Sequence, residues 1–212
     1  MPVGQILTGF IMTKSVFDPD EQQNDISSKI VAGLERVSEV FKVLLWEKAK
    51  LVGLSPIQIQ ILLFVTYHKD ELCNVSHLSK EFNVTKPTIS DAVKVLDAKG
   101  LIVKEYSASD SRSYSISVSG KGKTTVNLLN DVAKPLKAQI ETLDQDRLEG
   151  VFDTLSTLIY KLNKTGILAV QRTCYGCKFY EKQNTSDYCN LLQKELLSPD
   201  IRLDCPEFEQ KN

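Results

Sequence analysis

The sequence predicts a mainly α fold with a small β-hairpin wing, followed by a cysteine-rich C-terminal module. Three observations lead to this prediction. Apolar residues recur at steps of three and four along several long segments, as on the buried face of a helix. Two short segments of alternating polarity flank a polar loop near residue 110, which is typical of a hairpin. Four of the five cysteines lie after residue 171.

The composition is that of an ordinary globular chain. The protein has 212 residues and a net charge of −1, so bulk charge does not favour binding to polyanions. Residues 76–123 are the exception, because 8 Lys and Arg against 5 Asp and Glu give this block a charge of +3. No apolar run reaches the ~18 residues of a membrane-spanning helix. The N-terminus lacks the features of a signal peptide, so we expect a cytoplasmic protein with reduced or metal-bound cysteines.

Long helices are predicted on both sides of the central region. Residues 1–25 form an N-terminal arm that ends in a polar, turn-like stretch. An amphipathic helix follows over residues 26–52 and ends at Gly53. After residue 119, one helix with a kink at Pro135 is followed by a last long helix that begins after Asp144. These helices offer more apolar surface than a small domain can cover, which predicts a homodimer. The alternative is a helical bundle within one chain.

The centre of the chain predicts a helix-turn-helix followed by a hairpin. A helix that begins at Ser55 leads into a short helix over residues 76–82, and Asn83 suits the left-handed turn after it. A second helix covers residues 86–99. Strands over 101–106 and 113–118 then form the hairpin. The combination predicts a winged helix-turn-helix with long N- and C-terminal dimerisation helices.

The second helix of such a motif enters the major groove of DNA, and its first turn presents hydroxyl groups and backbone N–H groups to phosphates and bases. Arg112 in the wing suits the neighbouring minor groove. The Asp91 carboxylate can accept a hydrogen bond from the amino group of cytosine, but it repels phosphate. The candidate DNA-binding residues are Thr85, Lys86, Thr88, Ser90, Asp91, Lys94, Lys104 and Arg112.

Residues 55–123 resemble the winged helix of the MarR family of transcriptional regulators. The matching pieces are SPIQIQIL, VSHLSKEFNVTKPTIS, LDAKGLI and SDSRSYSISVSGKGK, and the flanking helices extend the likeness over residues 26–165. The resemblance implies a homodimer that binds a pseudo-palindromic operator on double-stranded DNA. It also implies a small-molecule effector pocket near Trp46, Lys50, Phe64 and Tyr67. The chain departs from the family at the wing, where Ser111 separates Asp110 from Arg112.

Residues 166–212 are predicted to form a small metal-binding module. Cys174, Cys177, Cys189 and Cys205 are spaced as C-x2-C-x11-C-x15-C, and the first pair has the spacing of a metal knuckle. A segment with so few aliphatic residues makes a poor core, whereas one bound metal centre would order it. Zinc is preferred over a [4Fe–4S] cluster, and metal-free thiols or disulfides stay open. Cys73 stands apart and is interpreted as a small buried hydrophobic residue.

These features predict a sequence-specific DNA-binding regulator. The favoured interpretation is a dimeric repressor that responds to a small molecule, a metal or a redox signal. The cysteine cluster is itself a candidate sensor. The alternative is an interaction adaptor whose winged helix does not bind DNA and whose cysteine module docks a partner. The sequence contains no phosphate loop or paired nucleophile, so we do not expect an enzyme.

Overall fold

The computed structural model describes residues 15–106, 113–183 and 186–211. It is mostly helical with a small antiparallel hairpin, as the sequence predicts. The chain divides into two compact units, residues 1–44 and residues 45–212. Within the described residues, no single helix is long and apolar enough to cross a membrane.

The N-terminal unit is helical. A short helix α1, Pro19–Asn24, replaces the turn that the sequence predicts, because the side chain of Asp18 accepts a hydrogen bond from the backbone N–H of Asp20 and caps it. The long helix α2, Ile26–Val52, follows and continues into the second unit. Gly53, with φ of 64°, ends α2 as expected.

Helix α3, Pro56–Tyr67, lies at the centre of the hydrophobic core. A capping box begins it: the Ser55 hydroxyl accepts from the Gln58 N–H, and the Gln58 side chain accepts from the Ser55 N–H. Ile59, Ile61 and Leu62 are fully buried in this helix. Because α3 is apolar on most sides, its main contribution is to the packing of the hydrophobic core.

The predicted helix-turn-helix is confirmed. Helix α4, Val75–Glu81, is joined to helix α5, Lys86–Ala98, by a turn in which Asn83 has φ of 51°. Strands β1, Ile102–Tyr106, and β2, Tyr114–Val118, form the antiparallel hairpin, with Lys104 opposite Ile116. Ile116 is fully buried and fastens the hairpin to the core.

The C-terminal helices differ from the prediction at one point. Instead of one kinked helix there are two, α6, Gly120–Leu129, and α7, Lys134–Ile140. Pro135 lies in the first turn of α7, where its missing N–H costs no helical hydrogen bond, so the chain breaks rather than bends. Helix α8, Gln145–Lys164, then begins at the predicted cap, Asp144.

The cysteine-rich segment forms a small sheet that the sequence does not predict. Strands β3, Tyr180–Lys182, β4, Asp187–Cys189, and β5, Lys194–Leu196, are antiparallel in the order β3-β4-β5. Short 3-10 turns cover Cys174–Gly176 and Ser198–Asp200. The sheet lies in the same compact unit as the helix-turn-helix.

Candidate nucleic-acid interface and four-cysteine site

Helix α5 has one buried face and one exposed face. Ile89, Ala92, Val93 and Leu96 are buried in the core. Lys86, Thr88, Asp91 and Lys94 lie on the exposed side. The apolar face fixes the orientation of the helix, so the polar face is presented to solvent at full length.

The N-terminus of α5 is shaped by hydroxyl groups. The Thr85 hydroxyl accepts from the Thr88 N–H at 3.3 Å, and the two hydroxyls lie 2.8 Å apart. Lys86 is exposed beside them, and Ser90 is half-buried one turn further on. The exposed ammonium of Lys86 and the positive end of the helix dipole favour an anion at this end.

Lys94 and Asp91 form an ion pair one turn further along α5. Their side chains lie 2.9 Å apart and are 71% and 74% exposed. A pair this exposed contributes little to stability, so Lys94 can exchange Asp91 for a phosphate at small cost. Asp91 still places a negative charge on the exposed face.

Two predicted DNA-binding residues lie on the hairpin. Lys104 forms a 2.7 Å ion pair with Asp97 of α5, and its side chain is largely covered. The hydrogen bond with Asp97 raises the pKa of Lys104, so its charge is already partnered. Arg112, the predicted minor-groove residue, lies outside the described residues.

The residues of the predicted effector pocket differ in burial within the part of the chain that the structure describes. Trp46 and Tyr67 are exposed, Lys50 is exposed, and Phe64 is buried in the core. Tyr67 lines a cavity of about 690 Å³ between α3, α4 and the C-terminal segment.

The four C-terminal cysteines lie near one another in the structure. All four line one small cavity of about 30 Å³, with Phe179, Tyr180, Leu191, Leu192 and Leu196 also in its wall. None of them is in a disulfide. Burial raises the pKa of the Cys174 thiol. Within the described residues, no three Cys, His, Asp or Glu side chains lie close enough together to hold a single ion.

A cluster that the sequence analysis missed joins this module to the helix-turn-helix. The guanidinium of Arg172 donates to both carboxylate oxygens of Glu81 on α4, at 2.8 and 3.1 Å, and also to Asp204. Asp204 contacts His68 at 2.6 Å. Arg172 also lies over the Phe64 ring, 5.5 Å from its centroid. Arg172 is 91 positions from Glu81 and 32 positions from Asp204 in the sequence, so no local pattern could have indicated these contacts.

His77 lies beside this cluster on α4. Its Nε2 atom is buried, lies 3.5 Å from Glu81 and has no hydrogen-bond partner among the described residues. Burial lowers the pKa of His77 and outweighs the opposing effect of Glu81. The ring is therefore neutral at pH 7 and leaves the Glu81 carboxylate to Arg172.

The arrangement of α3, α4, α5 and the hairpin is a winged helix-turn-helix fold. Residues 52–113 match the sequence model of the MarR family. No curated protein was found to match the chain.

Solved structures share this fold. MepR of S. aureus in its DNA-binding conformation has a TM-score of 0.56 at 19% identity, covering 63% of this chain and 98% of that one. The S. aureus MepR–DNA complex gives 0.52 at 19% identity, with coverage of 62% and 97%. BldR of Sulfolobus solfataricus gives 0.50 at 21% identity, with coverage of 68% and 99%. These chains are covered almost completely, so about a third of the present chain lies beyond the shared fold.

Proposed function

We propose that this protein is a sequence-specific DNA-binding transcriptional regulator that acts as a homodimer. One observation carries the proposal: helix α5 packs through Ile89, Val93 and Leu96, and it presents Lys86, Thr88 and Lys94 to solvent. Such a helix fits the major groove with its first turn against phosphates and base edges. The DNA-bound state of MepR, which has the same fold, supports this use of the helix.

The dimer sets the form of the target. A two-fold axis would place two copies of α5 about 34 Å apart, so the operator is a pair of inverted half-sites one DNA turn apart. Repression through competition for a promoter follows from such a site. The chain's role is binding rather than catalysis, and a signal acts by changing the population of the DNA-competent dimer.

Selection from a pool of fragmented genomic DNA tests the proposal. The purified protein should enrich a short inverted repeat, and its affinity should fall steeply with salt. Lys86→Ala and Lys94→Ala should each weaken binding and reduce the slope of log K against log salt by about 1.

Lys137→Ala is the matched control. Lys137 is also an exposed lysine on a helix, 72% exposed and paired with Glu141, but it lies on α7. Its replacement should leave the affinity within about twofold, since surface pairs contribute little. Absence of any enriched site at low salt would contradict the proposal and favour the interaction adaptor. Equal losses in all three variants would show only a general charge effect.

A further inference from the structure

We propose that Cys174, Cys177, Cys189 and Cys205 bind an iron–sulfur cluster of the [4Fe–4S] type, and that Arg172 couples this centre to the helix-turn-helix. The first half stands on the geometry of the cysteines alone. The second half rests on the proposed DNA binding, because it concerns how the centre affects that function.

Backbone contacts bring the four cysteines together. The N–H of Cys177 donates to the carbonyl of Cys174 at 2.9 Å and closes the knuckle. Cys189 ends strand β4, opposite Tyr180. The N–H of Cys205 donates to the carbonyl of Arg172 at 3.1 Å, and that of Cys174 to the carbonyl of Arg202 at 3.1 Å. Cysteines from separate parts of the segment therefore face one cavity.

The spacing of the cysteines along the chain favours a cluster over one zinc ion. Four thiolates can bind either group, but zinc sites with four cysteines usually combine two closely spaced pairs. Here only Cys174 and Cys177 form such a pair, and Cys189 and Cys205 follow at separate positions. A [4Fe–4S] cluster also takes four cysteines and is compatible with such irregular spacing.

The surroundings of the cavity suit a cluster. Phe179, Leu191 and Leu196 supply apolar parts of its wall, beside the polar side chains of Asp200, Arg202 and Glu207. The backbone N–H of Arg202 donates to the sulfur of Cys174 at 3.2 Å, and its guanidinium lies 3.9 Å from the sulfur of Cys205. Apolar walls and N–H donors to sulfur are the features by which proteins stabilise such clusters and tune them.

The path to the DNA-binding helices is short. Asp204 immediately precedes Cys205 and contacts both Arg172 and His68. Arg172 continues to Glu81 at the end of α4, which packs on α5. Cysteine ligation would fix Cys205 and with it Asp204, so the ion pairs hold α4 in place. Release of Cys205 frees Asp204 and loosens the support of α4.

Metal analysis of the full chain, purified without oxygen, tests the first half. We expect a brown protein with four irons and four sulfides per chain and broad visible absorption. Cys189→Ser should lose iron and colour, whereas Cys73→Ala, in the helical core, should keep both. Far-ultraviolet circular dichroism shows whether each variant is folded. A colourless parent that carries zinc, or no metal after reconstitution with iron and sulfide, would overturn the cluster.

Operator binding before and after removal of the iron tests the second half. The loaded parent should bind about tenfold more tightly than the iron-free protein. Arg172→Ala should keep the visible spectrum but reduce this difference to less than about twofold. Lys69→Ala is the matched control, because its exposed 3.4 Å pair with Glu207 also joins the module to the helical part. It should retain the full difference.

The two proposals fail in distinguishable ways. If neither form of the parent binds DNA, the proposed regulator is wrong while the metal analysis still decides the cluster. If both forms bind equally, or if Arg172→Ala keeps the tenfold difference, the coupling through Arg172 is wrong.

Discussion

Cys73 shows how burial sets the chemistry of a thiol in this protein. The residue is fully buried between α3 and α4, and its sulfur donates to the carbonyl of Lys69 at 3.4 Å. Burial raises the pKa of the thiol from 9.0 to about 11, and nearby Asp70 and Glu71 add to the shift. The interpretation of Cys73 as a small hydrophobic residue is therefore confirmed.

This shift predicts a pH dependence of stability. The folded protein holds the Cys73 proton more tightly than the unfolded chain. The contribution of the protonated thiol to the free energy of unfolding is therefore complete below pH 9 and is lost as the pH rises toward 11. In urea unfolding, the stability advantage of the parent over Cys73→Ala should stay constant from about pH 7 to 8.5 and shrink by pH 10. A stability advantage that grows with pH would contradict the raised pKa of Cys73 in the folded protein.

At the scale of elements, Gly122 allows α6 to pack closely against the base of the hairpin. A Cβ on Gly122 would lie 2.0 Å from the carbonyl oxygen of Leu101 and 2.7 Å from Cγ2 of Val118. The close approach lets the Ser119 hydroxyl cap α6 at the end of β2. At the base of the hairpin, the backbone of α6 at Gly122 thus packs directly against the backbone at Leu101.

Gly122→Ala is expected to lower the free energy of unfolding by about 1–3 kcal/mol, because the backbone must move to admit the methyl group. The control is Gly120→Ala at the start of the same helix, where nothing lies within 4 Å of the new Cβ. That variant should be neutral or more stable by up to about 1 kcal/mol. Urea unfolding measures both. Equal effects at the two positions would show that the close contact does not matter.

At the scale of the whole molecule, a long apolar stripe on α2 is partly exposed to solvent among the residues that the structure describes. Ile30, Leu34, Val37 and Phe41 are 53%, 39%, 42% and 45% exposed. Steps of three and four place them on one face of the helix. Continuous apolar surface of this kind marks a protein interface, and the proposed homodimer covers it with a second copy.

The stripe predicts the oligomeric state. Light scattering of the purified protein should give the mass of two chains. Phe41→Glu should weaken the dimer by about tenfold or more, because it places a charge in an apolar interface. Arg36→Glu adds negative charge to the same helix outside the stripe and should leave the dimer intact. A monomeric parent at micromolar concentration would contradict the dimer.

Local signals along the chain determined most of the helical architecture. Apolar periodicity, the capping box at Ser55 and left-handed turn residues such as Asn83 act over a few residues, so the sequence alone indicates them. The same reasoning found the exposed face of α5 and the grouping of the cysteines. It missed the break between α6 and α7, because Pro135 suits both a kink and a new first turn.

Contacts between distant residues were decided only by the tertiary structure. The ion pairs of Arg172 with Glu81 and Asp204 and the burial of Phe64 beside them depend on how the elements pack, and hydrophobic periodicity does not indicate such contacts. The same holds for the ion pair of Lys104 with Asp97. The four cysteines illustrate both what the sequence predicts and what the tertiary structure decides. Their spacing predicts a common site, whereas the backbone contacts of Cys205 with Arg172 and of Cys174 with Arg202 are decided by the folded chain.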